Sequence, residues 1–476
     1  DGDLITAAAA LDIVQPNPSS NTLKASEAIS LGTSNASTTV DLSLIETITG
    51  TSADLLDVVG GGTNSNITLT GKTAFTLVND SGVVQSATAA EIKTLTTASN
   101  QDGDPGGVVT GTVSTTAIAD LVSNLPVSVV NQLTVTVAGA SLDAGDLNTI
   151  DGRTGIKVTT SEATEITGTA SEVVTALASS GLDLKDSNVD VTLDNGETAT
   201  VTQINSMVST TGSGSVLTAV VSTSAVDSGD DAANNLMGLT SDNADNLTIT
   251  IGSLGATAAQ LNSIITKTSA TVDATAVTEI TATYDELRGD GSSTGLWNIT
   301  SEIDLNDGNS ATGNYNVVVS DTSLTAAKLI EIAAQTSGTV NAANATSVAG
   351  PVSDLLTLAG LNDGAGAGNL DLATNYSATI DVTGGATATA ANVLTILQDT
   401  SGSVNASGLT DISGLAADLK LVQAEASFSH NSPANYTSTI TDTTAGVADI
   451  NSIAGNTSGV VTATATSNDI AALEDL

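Results

Sequence analysis

Thr257-Ala258-Ala259-Gln260-Leu261-Asn262-Ser263-Ile264, followed by Thr268-Ser269-Ala270-Thr271-Val272-Asp273-Ala274 and by Val277-Thr278-Glu279-Ile280-Thr281, is the passage from which the fold is read. A Thr ahead of an Ala-rich run with aliphatics three apart marks an N-capped short helix. A turn dipeptide followed by alternating β-branched residues marks a short strand. The second half repeats the plan: Val277 to Thr281 reads as a strand, and Thr283 caps a helical turn that ends at Leu287.

Outward from this passage the pattern recurs. An aliphatic anchor is followed by a Val at eleven residues and further aliphatics at nineteen and twenty-six. The blocks are Leu261, Val272, Ile280, Leu287; Ile29, Val40, Ile48, Leu55; Leu147, Val158, Ile166, Val173; Leu329, Val340, Val348, Leu355; and Val393, Val404, Ile412, Leu419. Caps recur four residues before the first anchor, at Thr88, Asp143, Thr200, Thr325 and Thr389, and before the last anchor at Thr51 and Thr169. Looser blocks open at Ile92, Ile204 and Ile450. Fixed spacing of this kind means one supersecondary unit copied along the chain. The expected fold is α/β or mainly β: an elongated right-handed parallel solenoid of short strands and helical turns, with about eight double-coil repeats. It is read as a single repeat domain over 1–476, with units at 1–82, 83–131, 132–186, 187–244, 245–312, 313–373, 374–433 and 434–476. Alternating stretches such as Leu247 to Ile251, Asn316 to Val319 and Ser377 to Val382 add strands. The dipeptides Asn314-Tyr315, Asn375-Tyr376 and Asn435-Tyr436 read as turn punctuation, each Tyr capping an apolar edge.

Composition agrees with a narrow core. Of 476 residues, 40% are hydrophobic, but only one Trp, four Tyr and two Phe are present. Ten basic against 52 acidic residues give a net charge of −42, which repels nucleic-acid backbones and anionic lipid surfaces. Such self-repulsion is relieved by high salt or divalent cations, pointing to an extracellular or cell-surface setting. With no cysteine there is no disulfide, thiolate nucleophile or Cys-ligated metal. Leu4 to Val14 is too short and interrupted to span a bilayer, so no membrane insertion is expected.

The strings Leu147-Asn148-Thr149-Ile150-Asp151-Gly152-Arg153-Thr154 and Glu165-Ile166-Thr167-Gly168-Thr169-Ala170 resemble the repeats of very large secreted surface proteins of cyanobacteria, and similar strings recur at Leu261, Leu329 and Val393. The resemblance implies a surface-layer, sheath, adhesion or matrix-filament role and one-step export, and supplies no catalytic residue. The Gly-Gly-x-Gly-x-Asp nonapeptide of calcium-binding toxin-type repeats is absent, so calcium binding of that type does not carry over.

Candidate metal ligands are the carboxylates of Gly-containing, oxygen-rich stretches: Asp102 and Asp104; Asp227, Asp230 and Asp231; Asp304 and Asp307. Such loops can wrap a hard cation, making Ca²⁺ the candidate ion, although none completes an EF-hand and the alternative is a solvated turn. No other cofactor is indicated. His430, the single histidine, lies in a loop-like stretch and is read as structural or solvated and not catalytic. Arg288-Gly289-Asp290 is read as a chance tripeptide. The chain is therefore read as non-enzymatic: a structural repeat protein forming or decorating a surface layer, sheath or filament. Its expected partners are further copies of itself, joined head-to-tail because Ile470-Ala471-Ala472-Leu473 runs to the end without a polar cap, and surface or matrix polysaccharide. The alternatives are an adhesin or stalk acting as a monomeric rod, a viral fibre or decoration protein, and a β-helical carbohydrate-active enzyme using paired carboxylates.

Overall fold

The computed structural model describes residues 5–6, 21–34, 39–42, 45–61, 66–69, 73–99, 107–127, 130–160, 162–184, 188–212, 214–222, 235–252, 254–289, 295–299, 302–305, 313–362, 368–382, 386–430, 435–466 and 474. They form an α/β fold of many short parallel strands and 14 α-helices. Among the described residues no sheet closes into a barrel, and the arrangement is compatible with a solenoid-like fold. The chain divides into two compact units, Asp1–Ser222 with Thr240–Thr248, and Thr223–Leu239 with Ile249–Leu476.

In the first unit, one sheet runs Thr22–Lys24, Thr47–Gly50, Ala74–Leu77 and Val109–Val113, with Ser86–Ala87 and Gln132–Thr134 both pairing with the last of these. A second runs Ser141–Asp143, Glu165–Gly168, Asp190–Leu193 and Leu217–Val221, with Thr198–Ala199 and Asn246–Thr248 both pairing with Leu217–Val221. Each ladder is parallel and in register, as in Leu142↔Ile166 and Ile166↔Val191.

The second unit shows how the coils advance. One sheet is ordered Gly255–Thr257, Glu279–Ala282, Asn316–Val319, Val340–Ala342, Leu370–Leu372; the next is Ser323–Thr325, Ser347–Gly350, Ser377–Ile380, Val404–Asn405, Phe428–Ser429. In both, two strands that precede helices are followed by one of the additional strands and then by two that follow helices. Helix Ala326–Gln335 leaves Ser323–Thr325 in the later sheet and delivers the chain to Val340–Ala342 in the earlier one. Parallel strands need such a crossover, and the short capped helix supplies it. A third sheet, Thr387–Thr389, Asp411–Gly414, Thr437–Ile440 and Val461–Thr462, opens in the same way.

The repeated aliphatics are the core. Leu147, Leu261, Leu329 and Val393 on helices, Val158, Val272, Val340 and Val404 after them, and Ile166, Ile280, Val348 and Ile412 ahead of the next helix are all fully buried. Ile29 departs from the pattern: it is only half-buried, and Ala28 takes the core position. Helix Ala25–Ser34 starts at Ala25, so its buried stripe passes through Ala25, Ala28 and Gly32, one residue out of phase with the aliphatic at 29.

The caps fall where the spacing places them. Asp143, Thr169, Thr200, Thr257, Thr283, Thr325 and Thr389 each accept the backbone N–H three residues on. At Thr169, Thr200, Thr257 and Thr283 a Glu or Gln returns a bond to the cap N–H, completing a capping box. The first residue of a helix also sets coil spacing. A Cβ on Gly350 or Gly414 would lie 3.0 or 2.9 Å from the Cβ of Ala326 or Ala390, so a side chain there would push the two coils slightly apart.

Candidate functional site

The most regular polar apparatus of the second unit lies inside, between coils. Thr336-Ser337-Gly338, Thr400-Ser401-Gly402 and Thr457-Ser458-Gly459 sit on Asn314-Tyr315, Asn375-Tyr376 and Asn435-Tyr436. The hydroxyl of Thr336 donates to Tyr315 O, that of Thr400 to Tyr376 O, and that of Thr457 to Tyr436 O. Each hydroxyl also accepts the N–H of the Gly two residues on, at 3.0, 2.9 and 3.1 Å. One oxygen thus closes its own turn and ties it to the coil before, satisfying backbone groups that the sheet ladder does not reach. Thr336 and Thr400 are only 4% exposed. In the first unit Thr154 makes the same stitch, donating to Leu133 O at 2.8 Å and accepting from Ile156 N at 3.1 Å.

The tyrosines are interior residues and not edge caps: Tyr315, Tyr376 and Tyr436 are buried. Trp297 Nε1 donates to Tyr315 OH at 3.2 Å, Tyr376 OH donates to Asp399, and Gln423 Nε2 donates to Tyr436 OH at 3.0 Å. Burial pushes the Tyr376 and Tyr436 phenols above their ordinary value; at Tyr376 the Asp399 bond and charge add to it.

Of the candidate metal ligands, Asp304 alone is described; Asp102, Asp104, Asp227, Asp230, Asp231 and Asp307 lie outside the described residues. Asp304 is on a strand, Ile303–Leu305, and not in a loop; its register partner on Val272–Ala274 is Asp273. Neighbouring strands lie about 4.8 Å apart, so the pair is a short acidic ladder. Asp273 is already engaged, accepting from Thr275 N at 3.1 Å and Thr275 Oγ1 at 2.7 Å. Asn341 and Asn405, at the equivalent strand position, accept from Ala343 N and Ser407 N in the same way. Asp or Asn at this place turns the chain out of the strand. Among the described residues no group of three or more His, Cys, Asp or Glu is arranged to hold a metal ion.

His430 follows the short strand Phe428–Ser429, which pairs with Val404–Asn405. Its ring stands edge-on to Tyr436 at 4.9 Å and tilted to Phe428 at 6.4 Å, with Nε2 2.9 Å from Leu409 O. It is packed into an aromatic group. Arg288 ends helix Tyr284–Arg288 and bonds Glu331 and Asn298, while Asp290 of its tripeptide lies outside the described residues.

No protein-family model matches this chain, and no curated protein does.

Among the described residues, the first unit carries two open clefts. One, of about 260 Å³, is lined by Lys157, Leu177, Ser179, Leu182 and Asp183 among others. In it Ser179 donates to Asp151 at 2.6 Å, and the exposed Lys157 lies 3.8 Å from Asp183. The other, of about 280 Å³, includes Thr240, Asp242 and Asp245. Asp245 accepts from Leu217 N at 2.8 Å and Asp242 N at 3.2 Å, so its carboxylate ties a turn to the strand at Leu217. Burial pushes its carboxyl above the ordinary value, against those two bonds.

Carboxylates also gather around the cap of helix Ala144–Asp151. Asp143 accepts from Asp146 N at 2.8 Å, and Glu172 belongs to the capping box of the next helix. Desolvation, then the charges of Asp143 and Glu172, raise Asp146. The Thr169 hydroxyl and N–H lower Glu172. Asp143 caps its helix, Asp146 lies in that helix's first turn, and Glu172 completes the cap of the next helix. The stitches are what sequence reading missed. Both motifs were visible, but nothing in their spacing says that one sits on the other.

Proposed function

We propose that this protein is a non-catalytic structural repeat protein of the cell exterior, forming or decorating a surface layer, sheath or filament. The observation that carries this reading is where the regular chemistry goes. The repeated Thr-Ser-Gly and Asn-Tyr motifs join one coil to the next, and most of the shifted ionisable groups serve helix caps, turn or strand ties, or buried phenols.

On this reading the fold is a right-handed parallel solenoid of about eight double-coil repeats, the handedness following from the crossover rule. Its partners are further copies of the chain, since in-register coil stacking is an interaction that a second copy can continue. A surface or matrix polysaccharide is the second partner class. With a net charge of −42, close packing of copies calls for counter-ions, and Ca²⁺ at exposed carboxylates such as Asp304 is the proposed one. Nucleic acid is not a partner, for the same electrostatic reason. The helices offer no route through a bilayer: among the described residues none is long and apolar enough to cross a membrane.

The experiment is electron microscopy of the purified protein with Ca²⁺ and then with chelator. Filaments or sheets that loosen on chelation are expected. Single particles of unchanged length in both conditions, at high protein concentration, overturn self-association and favour a stalk or adhesin segment acting alone.

A further inference from the structure

We propose that the side-chain cluster joining helix Tyr284–Arg288 to helix Ala326–Gln335 is a salt-released clasp: rising ionic strength loosens this joint while it steadies the rest of the acidic chain.

Helix Tyr284–Arg288 has five residues and buries only Leu287. Its ties to the next coil are polar. Arg288 Nε lies 3.0 Å from Glu331 Oε1, and Tyr284 OH donates to Glu331 Oε2 at 2.6 Å. Lys328 Nζ lies 3.6 Å from Asp285 Oδ1 and 4.4 Å from the centre of the Tyr284 ring. Asp321 Oδ2 accepts the Tyr284 N–H at 2.8 Å. Two of the chain's ten basic residues thus meet at one joint. Contrast the following joint, where helix Ala326–Gln335 meets helix Val352–Leu361: Leu329, Ile332, Leu355 and Leu358 are all buried.

Single exposed ion pairs contribute little, but here Glu331 holds Arg288 and Tyr284 together while Lys328 serves both Asp285 and the ring, so the contacts act as a network. The four ion-pair partners, Arg288, Glu331, Lys328 and Asp285, are well exposed, with side-chain accessibilities of 36–63%. Their attraction is therefore screened as the Debye length falls from about 30 Å at 0.01 M to about 3 Å at 1 M salt. Elsewhere the dominant electrostatic effect is self-repulsion, which the same salt relieves. The two responses have opposite sign, and that separates the clasp from a general salt effect. Asn298 bonds Arg288 twice, through Oδ1 at 3.0 Å and Nδ2 at 2.6 Å, and its neighbour Trp297 is the chain's single tryptophan. Indole fluorescence therefore reports on the joint.

The test is amide hydrogen exchange of the full chain in NaCl at about 0.01 M and about 1 M, referenced to helix Ala390–Asp399, together with Trp297 emission. Exchange over 284–288 relative to the reference helix should rise about fivefold at high salt, with a red-shifted emission. Glu331→Gln should show the high-salt rate already at low salt and lose the response. Lys328→Gln, a milder lesion, should retain a reduced one and keeps the test alive if the first variant does not fold. Exchange over 284–288 that slows with salt in step with the reference helix overturns the clasp, as does a Glu331→Gln protein that responds like the parent.

Discussion

Replacing Thr400 with Val removes one oxygen from the interior of the second unit and leaves the shape of the side chain almost unchanged. That oxygen donates to Tyr376 O and accepts Gly402 N–H at 2.9 Å, at a position 4% exposed. Valine serves neither group. An orphaned buried partner costs about 1–3 kcal/mol, and with Tyr376 O buried and the Gly402 N–H only partly so the loss is about 2–4 kcal/mol. In a repeat array the loss should appear locally and not as a shift of one global transition. Hydrogen exchange resolved along the chain is therefore the assay: protection over 374–382 and 386–405 should fall by at least about thirtyfold, the factor for about 2 kcal/mol. Helices of the first unit, such as Ala170–Ala178, should be unaffected. Thr400→Ser keeps the oxygen and should lose much less. A Val variant whose protection drops less than about fivefold, or no more than that of the Ser variant, would show that the hydroxyl is not what joins the coils.

Gly402→Ala should destabilise the same joint by about 1–3 kcal/mol through overpacking, because its Cβ would lie 2.2 Å from Tyr376 O and 2.5 Å from Asn375 O. Gly255→Ala, with nothing within 4 Å of its Cβ, is the control that urea unfolding should find nearly silent. Burial, then the Glu331 bond, pushes Tyr284 up to about 12 from 10.0, and Tyr376 and Tyr436 are raised as well. Raised values mean stability that is complete below pH 10 and lost as pH rises through the folded value. The phenolate absorbance of these three should therefore grow in above pH 10 together with loss of circular dichroism, and titration near pH 10 with the fold intact would contradict it. Glu172, held below its ordinary 4.5 by the Thr169 hydroxyl and N–H, contributes stability present above that value and lost as pH falls through the folded one. Glu172→Gln should keep the capping box, as Gln203 does for Thr200, and let Asp146 fall back toward 3.8 in a carboxyl titration by nuclear magnetic resonance.

Legibility followed the range of the interaction. Caps and short strands were readable because each is decided within a few residues: a Thr accepts the N–H three positions on, and alternation sets the buried middle of a strand. Ile29 escaped because helix phase depends on where the helix starts, and Ala28 carries no aliphatic signal to mark the core. The tyrosines were misplaced at an edge because their burial depends on the coil that follows. The carboxylates proposed for Ca²⁺ are read from short Gly-containing, oxygen-rich strings. The place of Asp304 on a strand beside Asp273 is not legible locally, since it is set by a pairing across thirty-one residues.

From the sequence alone came the copied unit, its strands, helices and caps, the aliphatic core and an acidic exterior, because periodicity, capping and net charge are properties of neighbours along the chain. Tertiary structure alone decided which strand lies on which: that a helix carries the chain from a later sheet back to an earlier one, that Thr-Ser-Gly seats on Asn-Tyr, and that Arg288 and Lys328 meet Glu331 and Asp285. These contacts join residues roughly twenty to fifty positions apart, where spacing is set by stacked backbones and by the absence of a Cβ, and no local pattern records them.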